Sequence, residues 1–354
     1  MKKFYSLIAV AILITLALQA NAQSGFDNLL KSGPADATKL VSAYANPLFK
    51  GFGVGLNSGW NNTASTKKLL HFDLRITASA AFVPVSDKTF DVTKIGLSSA
   101  LTPADPTKTI APTIGGPSNS GPVMNINDNN GQPVGQLTLP KGYTSIIPAP
   151  TVQLTIGLIQ NTDVTIRAIP SISLGSSLGS VSMFGLGLKH NLMHDILGKK
   201  ATVVPFDLAV AFGYSRLNLN IPVNVQPSAN AQPANAQQST DFSNQHIEGH
   251  FNSFMAQAII SKKLLFFTPF LSVGYNSANT SIGAIGNYPV SSSSSLIGGP
   301  RYVTYTNPVT INEKSINGMR TDLGFQLNLA IFRIYASYSI AQYQSVNAGI
   351  GFGF

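Results

Sequence analysis

The chain predicts an all-β fold: a transmembrane antiparallel β-barrel preceded by a short N-terminal helical segment. About 14 strands are expected, with about 12 as the alternative, because single-chain barrels have even strand numbers. Three observations predict this class. Residues 1–22, MKKFYSLIAVAILITLALQANA, read as an export signal. Only 10% of residues are charged, against roughly 25% in a typical soluble domain. The last stretch, VNAGIGFGF, alternates strictly, with Val346, Ala348, Ile350, Phe352 and Phe354 on one face and Asn347 and three glycines on the other. A closing strand that ends on an aromatic residue suits a barrel with lipid outside and a small-residue lumen.

Lys2 and Lys3 form the basic start of the signal, Leu7–Leu18 its apolar core and Ala20-Asn21-Ala22 its small-x-small cleavage site. The apolar run is well short of the roughly 20 residues that a spanning helix needs. Gln23 is then the expected mature start, and the chain should reside in the bacterial outer membrane. The net charge of +9 is scattered, with no dense basic run; nucleic acid is not an expected partner. Cysteine is absent, which removes disulfides, thiolate metal sites and cysteine nucleophiles.

Residues 23–46 form the helical segment, with Phe26, Leu29 and Leu30, then Leu40, Val41 and Tyr44, as apolar stripes, and Asn46-Pro47 as its expected end. It would sit in the barrel mouth as a plug or pack on the periplasmic rim. The barrel is assigned to residues 47–354. Its first strand is read at Phe49–Trp60, from alternating glycines, with Trp60 as an interfacial girdle residue. Leu70–Val83 follows, then a possible strand at Phe90–Ser98. Residues 101–150 are rich in Pro, Gly, Asn and Asp and read as a long outer loop, with a short strand near Gln136–Leu139.

Thr151–Leu158 and Asp163–Ile169 make a hairpin, and Ser180–Lys189 a strand. Asn191–Lys200 is read as a turn or one helical turn at the periplasmic rim. Phe206–Ser215 is a strand that runs as far as Asn220. Residues 220–242 and 279–312 are further long loops, and QPSANAQPANAQQSTDF should be exposed and mobile. His246–Ser261 and Leu264–Ala278 pair around Lys262-Lys263, and Met319–Ala330, Ile334–Ile340 and Val346–Phe354 close the series.

Several segments carry a family resemblance. They are NPLFKGFGVGLNSGWNNT at 46–63, HFDLRITASAAFVP at 71–84, Pro148-Ala149-Pro150, TDVTIRAIP at 162–170, and GLGLKHNL at 185–192 followed by Pro205-Phe206-Asp207. Together they resemble an uncharacterised outer-membrane family of the Bacteroidetes, and the resemblance implies no established function. More distantly, a helical N-terminus before a barrel is similar to the FadL-type transporters of fatty acids and hydrocarbons. That likeness implies passage of small or hydrophobic molecules, and it is one of fold alone.

Residues able to carry chemistry are few. The charged groups His71, Asp73, Arg75, Asp163, Arg167, Asp207, Arg320 and Asp322 should point into the lumen. There they either pair across strands as wall filling, or line a path or hold a plug. His246, Glu248 and His250 share one strand face and are weak metal candidates; His190 and His194 beside Asp195 are weaker still. No GxSxG elbow occurs, and Glu is found only at 248 and 313, so neither hydrolase nor glycosidase chemistry is supported. No cofactor and no catalytic residue is expected. The open readings are passage of a small hydrophobic ligand, or an accessory or structural subunit of a larger outer-membrane export, assembly or uptake complex. Expected partners are membrane lipid, lipopolysaccharide and other outer-membrane proteins.

Overall fold

The computed structural model describes residues 29–175, 178–295 and 299–353. The export signal, its cleavage site and Phe354 lie outside the described residues. Ten strands form a closed barrel: β1 (Phe72–Phe82), β2 (Ile146–Gly157), β3 (Thr162–Gly175), β4 (Gly179–Asn191), β5 (Asp207–Pro222), β6 (His246–Ser261), β7 (Phe267–Ile285), β8 (Val309–Leu329), β9 (Phe332–Ile340) and β10 (Ser345–Gly353). Each strand pairs antiparallel with its sequence neighbour, and β1 closes the ring against β10 with Asp73 opposite Gly353 and Ala81 opposite Ser345. Closure leaves no open edge to expose unpaired backbone groups.

The strand count is therefore ten, not fourteen or twelve, and two regions account for the difference. Residues 49–56 are helical, and residues 83–145 fold outside the ring. The insert makes a two-stranded sheet (Thr89–Asp91 with Ile110–Pro112) and a three-stranded sheet (Leu101–Pro103, Val123–Asn127, Pro133–Thr138). These sheets enclose a small core of Val92, Leu101, Ala111, Met124, Ile126 and Leu137. The third loop region likewise folds, with Asn287–Ser295 paired to Gly299–Thr306 and joined by Gln232–Pro233. The low-complexity loop is held rather than free: Phe242 packs on Tyr302 at 5.7 Å, and the Thr304 N–H donates to Gln238 at 2.6 Å.

The long connections all leave one mouth of the barrel, here the loop end. Shorter connections join the strands at the other mouth, the longest of them residues 192–206, where α2 (Met193–Leu197) supplies the expected helical turn. Alternation sorts the walls. Leu74, Phe184, Leu186, Phe212, Phe254, Val273, Leu323, Tyr338, Ile350 and Phe352 are exposed on the outside. Thr77, Ser79, Thr151, Ser215, Ser253, Ser272, Ser339 and Asn347 are buried on the inside. An apolar exterior around a polar interior is the inverse of a soluble barrel and fits a lipid surround.

The first helix, α1 (Pro34–Leu56), runs through Pro47 and lies inside the lumen. Its N-terminal half is gripped at the loop end. Leu40 enters the core of the 83–145 insert, while Leu30, Ala37 and Phe49 pack with Phe251, Tyr288 and Val290. The glycines that suggested a strand are contact points instead. A β-carbon at Gly51 or Gly55 would lie 2.5 Å from Ile147 or 2.4 Å from Ala149, both on β2. One at Gly53 would lie 2.7 Å from Ala278 on the opposite wall. Two residues along a helix is about 200° around it, so a period-two glycine pattern gives a helix two bare faces. That is what a helix needs inside a narrow ring.

Candidate functional site

The lumen is threaded along its length. α1 descends from the loop end, residues 57–71 continue in extended and turn conformations, and β1 starts at the turn end. The candidate site is the set of buried wall side chains that hold this thread.

Two arginines meet the C-terminal end of α1 from opposite walls. Arg167 on β3 donates to the carbonyls of Leu56 and Ser58, each at 2.7 Å, and to Gln153 Oε1 on β2 at 2.9 Å. Its guanidinium also stacks 3.8 Å above Trp60. Arg320 on β8 reaches the Val54 carbonyl at 3.3 Å, Ser58 Oγ at 3.0 Å and Ser339 Oγ at 2.7 Å, and pairs with Asp322 at 2.7 Å. The last carbonyls of a helix have no partners within the helix and carry its negative pole. Buried guanidinium groups satisfy both needs. Among the described residues Arg167 has no carboxylate partner; helix carbonyls and an aromatic face take that place.

Below this level the thread is tied to β3–β6. Lys189 donates to the carbonyls of Thr63 and Ser65 at 3.2 and 2.6 Å and pairs with Asp163 at 3.0 Å. Ser261 Oγ takes the Ala64 N–H at 2.9 Å, Asp163 takes the Lys67 N–H at 2.8 Å, and Asp207 bonds Ser65 and Asn191. At the turn end Asp73 is a hub. It pairs with Arg333 at 2.7 Å, Arg75 at 3.0 Å and Lys67 at 3.5 Å, and accepts a hydrogen bond from Tyr335 Oη at 3.0 Å.

Asp73, Arg75, Asp163, Arg167, Asp207, Arg320 and Asp322 thus face the lumen, and they join the wall to the plug rather than pairing only strand to strand. His71 immediately precedes β1 at the turn end. Participants beyond that set include Lys67, Gln153, Lys189 and Arg333. Arg333 shares the inward parity of Tyr335 and was readable from alternation; Lys67 lies outside any strand and left no such signal.

One expectation is corrected, and the face carrying the three strand residues near the loop end is assigned. Trp60 is not a girdle residue: it is buried in the lumen, 3% exposed, against Gly187 and Gly213, where any β-carbon would fall 2.6 Å from its ring. His246, Glu248 and His250 are on the outer face, opposite the inward Ile247, Gly249 and Phe251. His250 bonds Asn218 at 2.8 Å and Glu248 at 3.1 Å, while His246 faces the Asn244 carbonyl. No metal-holding group of three such side chains occurs among the described residues. His190 bonds Thr162 and Asp195 as ordinary turn polarity.

A second tie lies at the loop end. Asp87, just past β1, accepts from Lys50 of α1 and from Tyr343 of the β9–β10 loop, each at 2.7 Å. Burial works against its charge, but the two hydrogen bonds outweigh burial and hold the carboxyl below its ordinary value.

The fold and the site define a closed β-barrel sealed by its own N-terminal segment. The chain belongs to a family described as a family of unknown function (DUF6588), whose model matches residues 1–354. No curated protein matches it. Solved structures with some likeness include the attachment invasion locus protein Ail of Yersinia pestis, at 10% identity over 81% of this chain and 100% of that one, TM-score 0.27. The outer membrane protease OmpT of Escherichia coli shows 9% identity over 84% and 99%, TM-score 0.30. The toluene transporter TodX of P. putida shows 11% over 88% and 70%, TM-score 0.24. At such distances no role passes from any of them to this chain.

Two outcomes test the network. Arg320→Met leaves Asp322 buried with only Ser272 beside it and should destabilise the barrel by about 3–5 kcal/mol in urea unfolding from micelles. Arg320→Met with Asp322→Asn should recover part of that loss, whereas a double-variant loss equal to the sum of the two single losses would mean that the pair is not coupled. For the Asp87 tie, a depressed carboxyl stabilises fully above its unfolded value of about 4 and loses this as pH falls through the lower folded value. Hydrogen-exchange protection around Lys50, corrected for intrinsic rates, should therefore hold from neutrality to about pH 4 and drop below it. Asp87→Asn should flatten that dependence.

Proposed function

We propose that this chain is an outer-membrane barrel kept shut by its own plug, whose working part is the ordered assembly at the loop end. In this reading it is a non-catalytic accessory or structural subunit of a larger outer-membrane assembly, embedded in lipid and lipopolysaccharide and contacting other proteins through its loops. The observation that carries this is the occupied lumen. Residues 34–71 fill it from mouth to mouth, tied by Arg167, Arg320 and Lys189 to main-chain carbonyls. A loosely held hatch would not engage three buried cations. The outward apolar belt supports residence in the membrane, and the usual placing of long loops outside sets the orientation.

Passage of a hydrophobic molecule, as in FadL-type proteins, would need the plug to move. The apolar space beside α1, bounded by Phe52, Leu56, Pro150, Ile169, Val181 and Met183, measures about 40 Å³, little more than the ~30 Å³ share of one water. The lumen carboxylates Asp73, Asp163, Asp207 and Asp322 are all engaged by cations, hydroxyls or amides, which fits a role without acid–base chemistry.

The test has two arms. Single-channel recording of the purified protein in a planar bilayer should show no steady conductance, and Arg167→Ala with Arg320→Ala should introduce fluctuating openings. Steady conductance of the wild type would favour the passage reading. Because the chain lacks cysteine, Lys31→Cys at the loop end and Lys263→Cys at a short turn can be labelled singly. An impermeant maleimide should reach position 31 on intact cells and position 263 only after permeabilisation; the reverse pattern would reject the orientation.

A further inference from the structure

A cavity of about 550 Å³ lies at the loop end, between α1, the 83–145 insert and the start of β8. Small-molecule sites commonly fall between about 300 and 1,000 Å³. One side is apolar, with Phe90 and Ile95 from the insert; the other holds Ser42 and Asn46 of α1 and Glu313 of β8.

Glu313 stands out within this cavity. Its Oε2 accepts from Ser42 Oγ at 3.2 Å and its Oε1 from Asn46 Nδ2 at 3.4 Å. Both donors are neutral and both contacts are long. Glu313 forms no ion pair among the described residues, although two lysines of α1 are close by. Lys50 is committed to Asp87 at 2.7 Å, and Lys39 to the Gly96 carbonyl and to Asp36. The half-buried carboxylate therefore faces a cavity large enough for a ligand, with the local cations already engaged elsewhere. A partly buried carboxylate without a cation is costly unless a charged donor reaches it.

We propose that this cavity binds a small amphiphilic amine, whose ammonium takes Glu313 as counter-charge and whose apolar body lies against Phe90 and Ile95. Phosphate or carboxylate ligands are disfavoured there by the same carboxylate. A neutral sugar could use the hydroxyl and amide groups but would leave Glu313 without a charged partner. Because the site spans α1, the insert and β8, an occupant adds a bridge between plug and cap.

Titration calorimetry on the full-length protein in micelles tests this with tyramine, a cation at neutral pH, and N-acetyltyramine, its uncharged counterpart. Tyramine should bind and N-acetyltyramine should bind much more weakly. Glu313→Gln should weaken tyramine about tenfold or more, the loss expected for a hydrogen bond to a charged group. Phe90→Ala should weaken both ligands alike. Unchanged heat-modifiable migration on gels would show that each variant still folds. No binding of tyramine, equal binding of both compounds, or an unaltered tyramine affinity in folded Glu313→Gln would each overturn the proposal. Should Glu313→Gln fail to fold, Ser42→Ala and the tyramine/N-acetyltyramine ratio in the wild type still decide the matter.

Discussion

The capping of α1 by Arg167 and Arg320 is the constraint on which the rest of the lumen depends. A helix that ends inside a barrel leaves its final carbonyls away from bulk water, where each unpaired group costs on the order of 1–3 kcal/mol. Two guanidinium groups are the economical solution, since each offers five donors in a fixed plane. Their placement then fixes their neighbours. Arg320 requires Asp322 and Ser339; Arg167 requires Gln153 and the Trp60 face. Trp60 in turn requires Gly187 and Gly213 on the wall behind it. A chain of necessities runs from one helix terminus through six strands.

The ring itself imposes the second constraint. Ten strands leave an interior that one helix fills only if both surfaces are cut back. The wall does this with Ser, Thr and Ala, and the helix with Gly51, Gly53 and Gly55. Helical glycine costs roughly 1 kcal/mol relative to alanine at each position, and Pro47 removes a further hydrogen bond. Packing on both sides, together with the carbonyl caps, offsets these local penalties, which is why an unfavourable helical sequence is helical here.

Much of this was legible in the residues. Strand alternation placed β1, β5, β6, β9 and β10 near their observed spans, caught only the second half of β8, and gave the alternation of Asp73, Arg75, Arg167, Arg320 and Asp322. Local periodicity reads glycines two apart as one face of a strand, whereas in a helix residues two apart lie on opposite sides. It could not foresee that the 83–145 insert builds its own core, since Leu101, Met124, Ile126 and Leu137 are dispersed among turn residues. Nor does a side chain's parity say what it will touch, so the shared target of the lumen charges, the main chain of the plug, was not visible.

The path of residues 34–71 bears on how the molecule can be made. The chain passes in at one mouth, emerges at the other and there becomes the first stave of the ring that surrounds it. Topologically it is a thread through a hoop, with the hoop's seam at β1 and β10. Such an object has only two histories. Either the seam zips up around a segment already lying in place, or the free end is drawn through a hoop already closed. The buried salt links that line the passage make the first history a templated one, with the plug serving as the mandrel on which the staves are laid.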